Sequence, residues 1–271
     1  MTSPASTQVL CSAEEALARH GRVALAQVVG AQGSTPGKVG WKLLVPPSGE
    51  PYGNLGGGAF EAMVVADARA RLAERRPRGE VKRYYLTEDA VKGQPTGMVC
   101  GGMLEVFLEV LAAAPVLAIF GGGPVGQAVA RAGELAGFDL VVADDRSEYR
   151  RPELFPPSAR LVEVDRSFGG DLFAGAEGRE VYATVVSRCW ETDTAALAAL
   201  LERRPERLVY VGLMGSRRKI QRVREELDRL GVDLSGIPLH APIGLPLGGD
   251  SPGEIALSIL AQIQRTRYEV E

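Results

Sequence analysis

A glycine-rich turn between two apolar stretches constrains the fold of this chain more than any other feature of its sequence. The stretch VLAIF (116–120) is followed by Gly121, Gly123 and Gly126 in the spacing G-x-G-x-x-G, then by a helical pattern, then by a second apolar stretch that ends at Asp144. In such units the glycines permit a tight turn, and the amino end of the helix attracts phosphate. The stretch therefore predicts the first βαβ unit of a Rossmann-like fold.

The rest of the second half continues the alternation of strands and helices. Further strand candidates lie at 159–164, 181–187 and 207–213, and helical patterns at 125–137, 194–203, 217–230 and 252–267. This alternation is typical of a doubly wound parallel sheet with helices on both faces. The last helix begins with SPGE, in which Ser251 and Glu254 have the spacing of a capping box, and we assign that motif a structural role.

The first part of the chain has a different composition, with β-rich runs at 22–36 and 41–55 and glycine-rich loops. We therefore predict an α/β protein of two domains. A β-rich α+β domain occupies residues 1–113, and a Rossmann-like domain occupies residues 114–271. We also expect a homodimer, because the first domain is too small to bury all its apolar strands alone.

Two loops of the first domain share the skeleton Gly-x-x-x-Gly-Gly-x-x-Glu. GNLGGGAFE (53–61) precedes a helical pattern, and GMVCGGMLE (97–105) precedes a short apolar run that favours a strand. Only the second loop has a thiol, Cys100, whose flanking glycines favour an accessible side chain; a buried structural thiol is the alternative. We expect the two loops to line one cleft. Glu61 and Glu105 either titrate there or, in the interpretation we favour, bond loop amides.

Three cations, Arg217, Arg218 and Lys219, follow Ser216 at the start of a predicted helix. The helix dipole already supplies positive charge at such an end, so an anionic group is expected to compensate. One interpretation is a phosphate bound by Ser216, Arg217 and Arg218 at the carboxyl edge of the sheet. The alternative is a solvated basic face paired with the glutamates at 225 and 226.

The ligand of the glycine turn stays open at this stage. Asp144 is placed to bind ribose hydroxyls, and Asp145 beside it would repel a 2′-phosphate, so NAD is favoured over NADP if either binds, although Arg146 weakens that inference. Another nucleotide-like cofactor, or a turn kept for packing alone, is the alternative. An NAD-dependent oxidoreductase would use Cys100 as its redox thiol, but the sequence offers no histidine placed for hydride transfer after the fourth strand.

Charge and cysteine content exclude several other classes. Lys and Arg number 31 and Asp and Glu 34, a net charge of −3 that gives no general attraction to nucleic acid or membranes. No apolar run approaches the roughly 20 residues of a membrane helix and no signal peptide is visible, which predicts a cytoplasmic protein. The three cysteines have no C-x-x-C spacing, and we expect Cys11 and Cys189 to be small buried side chains.

Taken together, six segments resemble the XdhC/CoxI family of maturation factors for molybdenum hydroxylases such as xanthine dehydrogenase. They are the turn GSTP (33–36), GNLGGGAFE (53–61), GMVCGGMLEVFLE (97–109), the glycine-turn unit (119–146), YVGLMGSRRK (210–219) and HAPIGLPLGGDSPGEIALSILAQI (240–263). The resemblance implies an XdhC/CoxI domain followed by a Rossmann domain. It also implies a chaperone rather than a turnover enzyme, which binds molybdenum cofactor (molybdopterin), protects it during sulfuration and delivers it to an apo molybdenum hydroxylase.

On that resemblance we place the cofactor at Cys100, as a contact to molybdenum, and at the adjoining Gly101 and Gly102, with Gly57 and Gly58 of the first loop facing the same cleft. The charge of Arg217 and Arg218 suits the cofactor phosphate. A cysteine desulfurase is a further candidate partner.

The chain departs from the family pattern at several positions. Pro124 stands where many relatives have histidine, and Trp190 and Thr192 stand where a second histidine-bearing segment is expected, of which Asp193 remains. Ala59 and Val99 occupy places where some relatives have cysteine. His20 is expected to cap a helix, and His240 lies near the carboxyl edge. These departures leave a degenerate docking scaffold as a further alternative.

Overall fold

The computed structural model describes residues 6–86, 94–95 and 101–269. The chain divides into two compact units, Met1–Ala113 and Ala114–Glu271. The predicted fold class is confirmed, since a mainly antiparallel sheet forms the first unit and a parallel sheet forms the second.

The described part of the first unit contains two helices and six strands. They are α1 (Ser6–His20), β1 (Arg22–Gln32), β2 (Lys42–Val45), β3 (Tyr52–Gly53), α2 (Gly58–Ala73), β4 (Glu80–Tyr85), β5 (Gln94–Pro95) and β6 (Met103–Ala112). The strand order is β3-β2-β1-β6-β4-β5, and every neighbouring pair except β4 and β5 is antiparallel. As predicted, the first glycine loop leads into a helix and the second into a strand.

The two helices of the first unit each bury an apolar stripe on the sheet. Helix α2 contributes residues at helical spacing, Phe60, Val64, Ala68 and Leu72, to a core with alternate residues of β1 and β6. Helix α1 packs through Val9 and Ala13 in a second cluster.

The expectation that Cys11 is buried is wrong, because its side chain is exposed. Cys11 lies two positions from both Val9 and Ala13, the buried residues of α1. Residues two apart on a helix point to nearly opposite sides, so Cys11 faces away from the sheet. The end of α1 is formed by Gly21, which has a φ of 68° and donates its backbone N–H to the carbonyl of Leu17, with His20 as the last helical residue.

The second unit alternates strands and helices. They are β7 (Val116–Phe120), α3 (Pro124–Leu135), β8 (Asp139–Asp144), β9 (Arg160–Glu163), β10 (Val181–Val185), α4 (Trp190–Arg203), β11 (Leu208–Leu213), α5 (Arg217–Arg229), β12 (Leu239–His240) and α6 (Pro252–Tyr268), with short 3₁₀ turns at Ser147–Tyr149 and Pro152–Leu154. All five strands expected from the sequence are present. The two-residue β12 is not predicted, because its pattern is too short to distinguish from a loop.

The order of the parallel sheet positions the site. Its strands lie in the order β12-β11-β10-β7-β8-β9. From β7 the chain first adds β8 and β9 on one side and then β10, β11 and β12 on the other, so the strand order reverses between β7 and β10. Open α/β sheets bind ligands beyond the carboxyl ends of the strands at such a reversal. Helices α3 and α6 pack on one face and α4 and α5 on the other. The predicted capping box at the start of α6 is confirmed, with Ser251 and Glu254 bonding each other's backbone.

Candidate functional site

The glycine turn after β7 is shaped largely by packing within its own unit. Gly121 has a φ of 117°, and a Cβ there would lie 2.9 Å from the carbonyl oxygen of Val186. A Cβ at Gly126 would overlap the carbonyl oxygen of Gly121. Only Gly123 of the three motif glycines faces open space, with nothing within 4 Å of a Cβ built on it. The close helix–strand packing of a Rossmann turn is therefore present, and Gly123 is the motif glycine with open space beside it.

Asp144, the predicted ribose ligand, is engaged within the protein. Its side chain is 2% exposed, and its Oδ2 accepts from the backbone N–H of Gly122 at 2.8 Å and from Arg146 Nη2 at 2.9 Å. Its Oδ1 accepts from the backbone N–H and Nε of Arg146 at 3.0 and 2.9 Å. A carboxylate has about four acceptor positions, and all are used here. The geometry thus gives Asp144 a structural role in place of the expected contact to ribose.

Asp145 is neutralised in the same way by an arginine from another strand end. Arg188 donates to both of its carboxylate oxygens, at 2.7 and 2.9 Å. These charge-assisted bonds lower the pKa of Asp145 and raise that of Arg188. The preference for NAD over NADP rested on two acids free to repel a 2′-phosphate. Because both acids are paired, that argument loses its basis.

A buried charge cluster, which sequence reasoning did not find, joins the ends of β10 and β11. Asp193 is 0% exposed, and its Oδ2 lies 2.6 Å from Nζ of Lys219 while its Oδ1 accepts from the hydroxyl of Ser187 at 2.5 Å. The same Nζ donates to the carbonyls of Met214 at 3.2 Å and Ser187 at 3.4 Å. Burial raises the pKa of Asp193, and the bonds from Lys219 and Ser187 offset part of that rise. Lys219 therefore turns its ammonium group inward, to one carboxylate and two carbonyls.

The sequence contains one signal for this cluster. Asp193 lies in the pattern WETDTAALAALL at the start of α4, where Thr192, Asp193, Thr194, Ala196 and Leu197 are all buried. An acid on the apolar face of a helix is costly unless a cation meets it, so a buried partner could have been expected. The same sequence does not say which cation, because Lys219 is 26 residues further along the chain.

A polar groove lies at the start of α5, where the sequence predicts an anion site. Its volume is about 610 Å³, and it is lined by Trp190, Ser216, Arg218, Lys219, Gln221, Arg222 and Glu225. Ser216 caps the helix by accepting from the backbone N–H of Lys219 at 3.2 Å. The guanidinium of Arg222 lies 4.8 Å from the centre of the Trp190 ring, a cation–π contact.

Arg217 and Arg218, at the start of this helix, are not paired with its acids. Glu226 pairs with Arg229, and Glu225 accepts from the side chain of Gln221 at 3.0 Å. Among the residues that the structure describes, Arg217 and Arg218 form no ion pair or hydrogen bond. The alternative in which Glu225 and Glu226 neutralise these arginines is wrong.

Of the two loop glutamates, Glu61 bonds loop amides as we expect from the sequence, and Glu105 does not. Glu61 accepts from the backbone N–H groups of Leu55 at 2.8 Å and Gly57 at 3.2 Å, so it bonds loop amides. Glu105 instead pairs across the sheet with Arg83, at 2.8 Å.

Both loops pack closely on one turn of the first unit, although not through equivalent positions, because Gly56 stands where the second loop has Cys100. A Cβ at Gly102 in the second loop would overlap the carbonyl oxygen of Ser34, and a Cβ at Gly56 in the first would lie 2.9 Å from the backbone nitrogen of Gly37. Both loops therefore pack on the same turn, residues 33–37, which has no room for side chains at these positions.

Two other loop glycines face open space. Gly57 and Gly101 have φ angles of 74° and 68°, and nothing lies within 4 Å of a Cβ built on either. Gly58, with a φ of 66°, is the first residue of α2. Cys100 precedes Gly101 but lies outside the described residues, so its contact to a ligand stays a prediction.

The remaining candidates are placed as follows. His240 on β12 stacks on the Tyr210 ring with centroids 4.6 Å apart, and burial, with a smaller effect of Arg265, lowers its pKa. Cys189 is partly buried as the N-cap of α4, with its Sγ 3.2 Å from the hydroxyl of Thr192. Over residues 6–86, 94–95 and 101–269, no group of three His, Cys, Asp or Glu side chains could hold a metal ion. No helix in those ranges is long and apolar enough to cross a membrane.

Comparison with protein families matches both units. Residues 117–263 match the model described as the XdhC Rossmann domain, and residues 16–85 match the XdhC and CoxI family. The first match covers more than half of the chain and includes the glycine turn, the charge cluster and the groove.

Individual relatives are longer than this chain. It is 37% identical over 248 residues to the uncharacterized protein YqeB of Escherichia coli K12, covering 90% of the chain and 43% of the relative. It is 29% identical over 172 residues to a probable component of xanthine dehydrogenase from Bacillus subtilis 168, covering 61% and 47%. The chain therefore spans less than half of each. A crystal structure of a xanthine dehydrogenase from Bacillus halodurans aligns over 97% of this chain and 96% of that one, with 19% identity and a TM-score of 0.48.

Proposed function

The chain belongs to the XdhC and CoxI family, and on that premise we propose that it is an accessory protein of a molybdenum hydroxylase of the xanthine dehydrogenase type. In this role it binds molybdenum cofactor, protects it during sulfuration and delivers it to the apo-enzyme. The name of the Bacillus subtilis relative supports an association with xanthine dehydrogenase. A cysteine desulfurase as sulfur source and a homodimeric state are further parts of the proposal.

The groove at the start of α5 is the observation that carries this proposal. Molybdopterin has a planar pterin and a terminal phosphate, so its site needs a ring surface and cations. The groove offers both. Trp190, beside Arg222, supplies the ring surface. Arg218, which has no acidic partner in the described part of the chain, supplies a cation. Unpaired cations at a helix start cost several tenths of a kcal/mol each, and a bound phosphate would remove that cost.

Independently of the groove, Cys100 and the adjoining loops of the first unit are proposed as a contact to molybdenum. Gly57 and Gly101 leave space for a ligand to approach the backbone, and Cys100 adjoins that space in sequence. The cofactor supplies the metal centre on which the client enzyme depends. The chain's own contribution is to bind and shield it, with Cys100 as the proposed thiolate contact.

We do not extend the proposal to NAD. The two acids that would recognise its ribose, Asp144 and Asp145, are each held by an arginine. Pro124 also removes one backbone N–H at the start of α3, where a diphosphate would be bound.

The proposal is tested by purifying the protein from cells that make molybdopterin and from cells that cannot. Bound pterin is measured by oxidation and fluorescence in the wild type, in Arg218→Ala and in Arg224→Ala. Arg224 is the matched control, because it lies on the same helix outside the groove. Loss of a charge-assisted contact of about 1.5–3 kcal/mol predicts roughly 10- to 100-fold weaker retention in Arg218→Ala alone.

Two results would contradict the proposal. A wild-type protein without pterin from producing cells would favour the docking scaffold. Equal retention by Arg218→Ala and Arg224→Ala would remove the groove from the site. Cys100→Ala, measured in parallel, tests the first-unit contact separately.

A further inference from the structure

The two walls of the groove begin on different helices. Trp190 is the first residue of α4, and Ser216 and Arg218 lie at the start of α5. The helices follow two neighbouring strands, β10 and β11, each through a short loop. The shape of the groove therefore depends on how the two helix starts are held relative to each other.

A buried ion pair joins these helix starts. Asp193 lies three residues after Trp190 on the same side of α4, and Lys219 directly follows Arg218 on α5. The Asp193 side chain is 0% exposed, and its Oδ2 lies 2.6 Å from Nζ of Lys219. At the surface, the guanidinium of Arg222 on α5 stacks on the Trp190 ring. Each member of the buried pair is thus close along its helix to a residue that lines the groove.

The ammonium group of Lys219 also bonds the loops that precede both helices. It donates to the carbonyl of Ser187, before α4, at 3.4 Å and to the carbonyl of Met214, before α5, at 3.2 Å. The hydroxyl of Ser187 in turn donates to Oδ1 of Asp193 at 2.5 Å. Lys219 therefore connects the start of α4 with the loops on both sides of the groove.

Gly215 gives the Lys219 side chain room to reach inward. A Cβ at Gly215 would lie 2.8 Å from Cδ of Lys219 and 3.3 Å from its Cβ and its Cγ. The aliphatic part of Lys219 therefore crosses the loop at a position where a side chain would crowd it. Consecutive residues of a helix point about 100° apart, so a Lys219 held inward leaves Arg218 directed away from the interior, into the groove that it lines.

We propose that Asp193 and Lys219 are positioning residues, which hold Trp190 and Arg218 in the arrangement that an anionic ligand of the groove requires. This inference deepens the proposed function and rests on its placement of the ligand in the groove. The pair acts through its neighbours, because the Lys219 ammonium group is directed to the interior. Apolar side chains of similar volume can replace a buried ion pair that serves stability alone. They cannot replace one that also fixes two loops by hydrogen bonds.

The test uses a double variant that separates stability from positioning. Lys219→Met with Asp193→Leu leaves no unpaired charge buried, so its Tm should stay near that of the wild type, but it loses the bonds from Lys219 to the two loops. We expect its dissociation constant for inorganic phosphate, measured by isothermal titration calorimetry, to rise at least about tenfold. Arg229→Met is the matched control, because it breaks an exposed ion pair on the same helix and should bind phosphate as the wild type does.

Quenching of Trp190 fluorescence by acrylamide gives a second readout, which needs no ligand. The chain has two tryptophans, so Trp41→Phe leaves Trp190 as the only one. In that background we expect stronger quenching in the double variant, because Trp190 is no longer held against α5, and unchanged quenching in Arg229→Met. If the wild type binds no phosphate, the proposed function fails at the groove, and the quenching then decides whether the pair positions Trp190.

Gly215→Ala covers the case in which the double variant does not fold. Its methyl group would crowd the Lys219 side chain while both charges stay in the chain, so phosphate affinity should fall. Gly253→Ala is its control, because nothing lies within 4 Å of a Cβ built there.

Three results would overturn the positioning role. The first is wild-type phosphate affinity in a folded double variant, which leaves the proposed function intact if Arg218→Ala still loses affinity. The second is unchanged quenching in the double variant when the wild type binds no phosphate. The third, where the double variant does not fold, is equal phosphate affinity in Gly215→Ala and Gly253→Ala.

Discussion

Replacing Lys219 by methionine is expected to destabilise the second unit strongly. The substitution keeps the length of the side chain but leaves the Asp193 carboxylate, 0% exposed, without its ion partner. It also removes donors from the carbonyls of Met214 and Ser187. Removing one partner of a buried ion pair costs about 3–5 kcal/mol in the free energy of unfolding. For a unit of this size each kcal/mol lowers Tm by about 2–4 °C, so a fall of roughly 6–20 °C is expected.

Differential scanning calorimetry of the full chain checks this value, with the transition of the second unit assigned separately if the two units melt apart. Arg229→Met is the control, since it breaks an exposed pair with Glu226 on the same helix and should not change Tm measurably. The double variant Lys219→Met with Asp193→Leu should recover most of the loss, because no unpaired charge stays buried. A Tm for Lys219→Met equal to that of the control, or a double variant no better than the single one, would refute the reasoning.

Three further outcomes are expected. The folded state lowers the pKa of His240 and so binds fewer protons than the unfolded state. The free energy of unfolding, measured by urea titration, should therefore fall as pH drops below about 6.5, and His240→Gln should flatten that dependence. Gly126→Ala should lower Tm because its methyl group would overlap the Gly121 carbonyl, whereas Gly123→Ala, which faces open space, should not. Native protein should react with maleimide at the exposed Cys11, as peptide mass spectrometry would show, and protection there would contradict its placement.

The fold could be predicted from sequence because its signals are local. The strands of the second unit are short apolar runs bounded by turns, and the helix starts at Ser216 and Ser251 follow from capping residues. The expectation for Cys11 failed although the helical spacing of its neighbours was available. That error came from a general preference of cysteine for the interior, which a helix with one buried face overrides.

The site was predicted less well, because partners in space decide what a charged residue can do. Asp144 stands where a ribose ligand stands in dinucleotide folds, yet Arg146, two residues away, and the Gly122 N–H take all its acceptor positions. Lys219 resembles its two arginine neighbours in the sequence, yet it alone of the three turns inward to Asp193. Residue type and spacing do not reveal whether a charge is already neutralised.

The distribution of paired and unpaired charges along one sheet edge argues for where an anion binds. At the ends of β8 and β10 the arginines are matched by Asp144 and Asp145, so little net charge faces the glycine turn. Beyond β11 the inward turn of Lys219 leaves Arg217 and Arg218 as unmatched charges, within the described ranges, at a helix start. An anion should therefore bind at the groove in preference to the turn. Phosphate should accordingly raise the Tm of the wild type, and that increase should be lost in Arg217→Ala with Arg218→Ala. An increase that survives in this double variant would place the anion elsewhere.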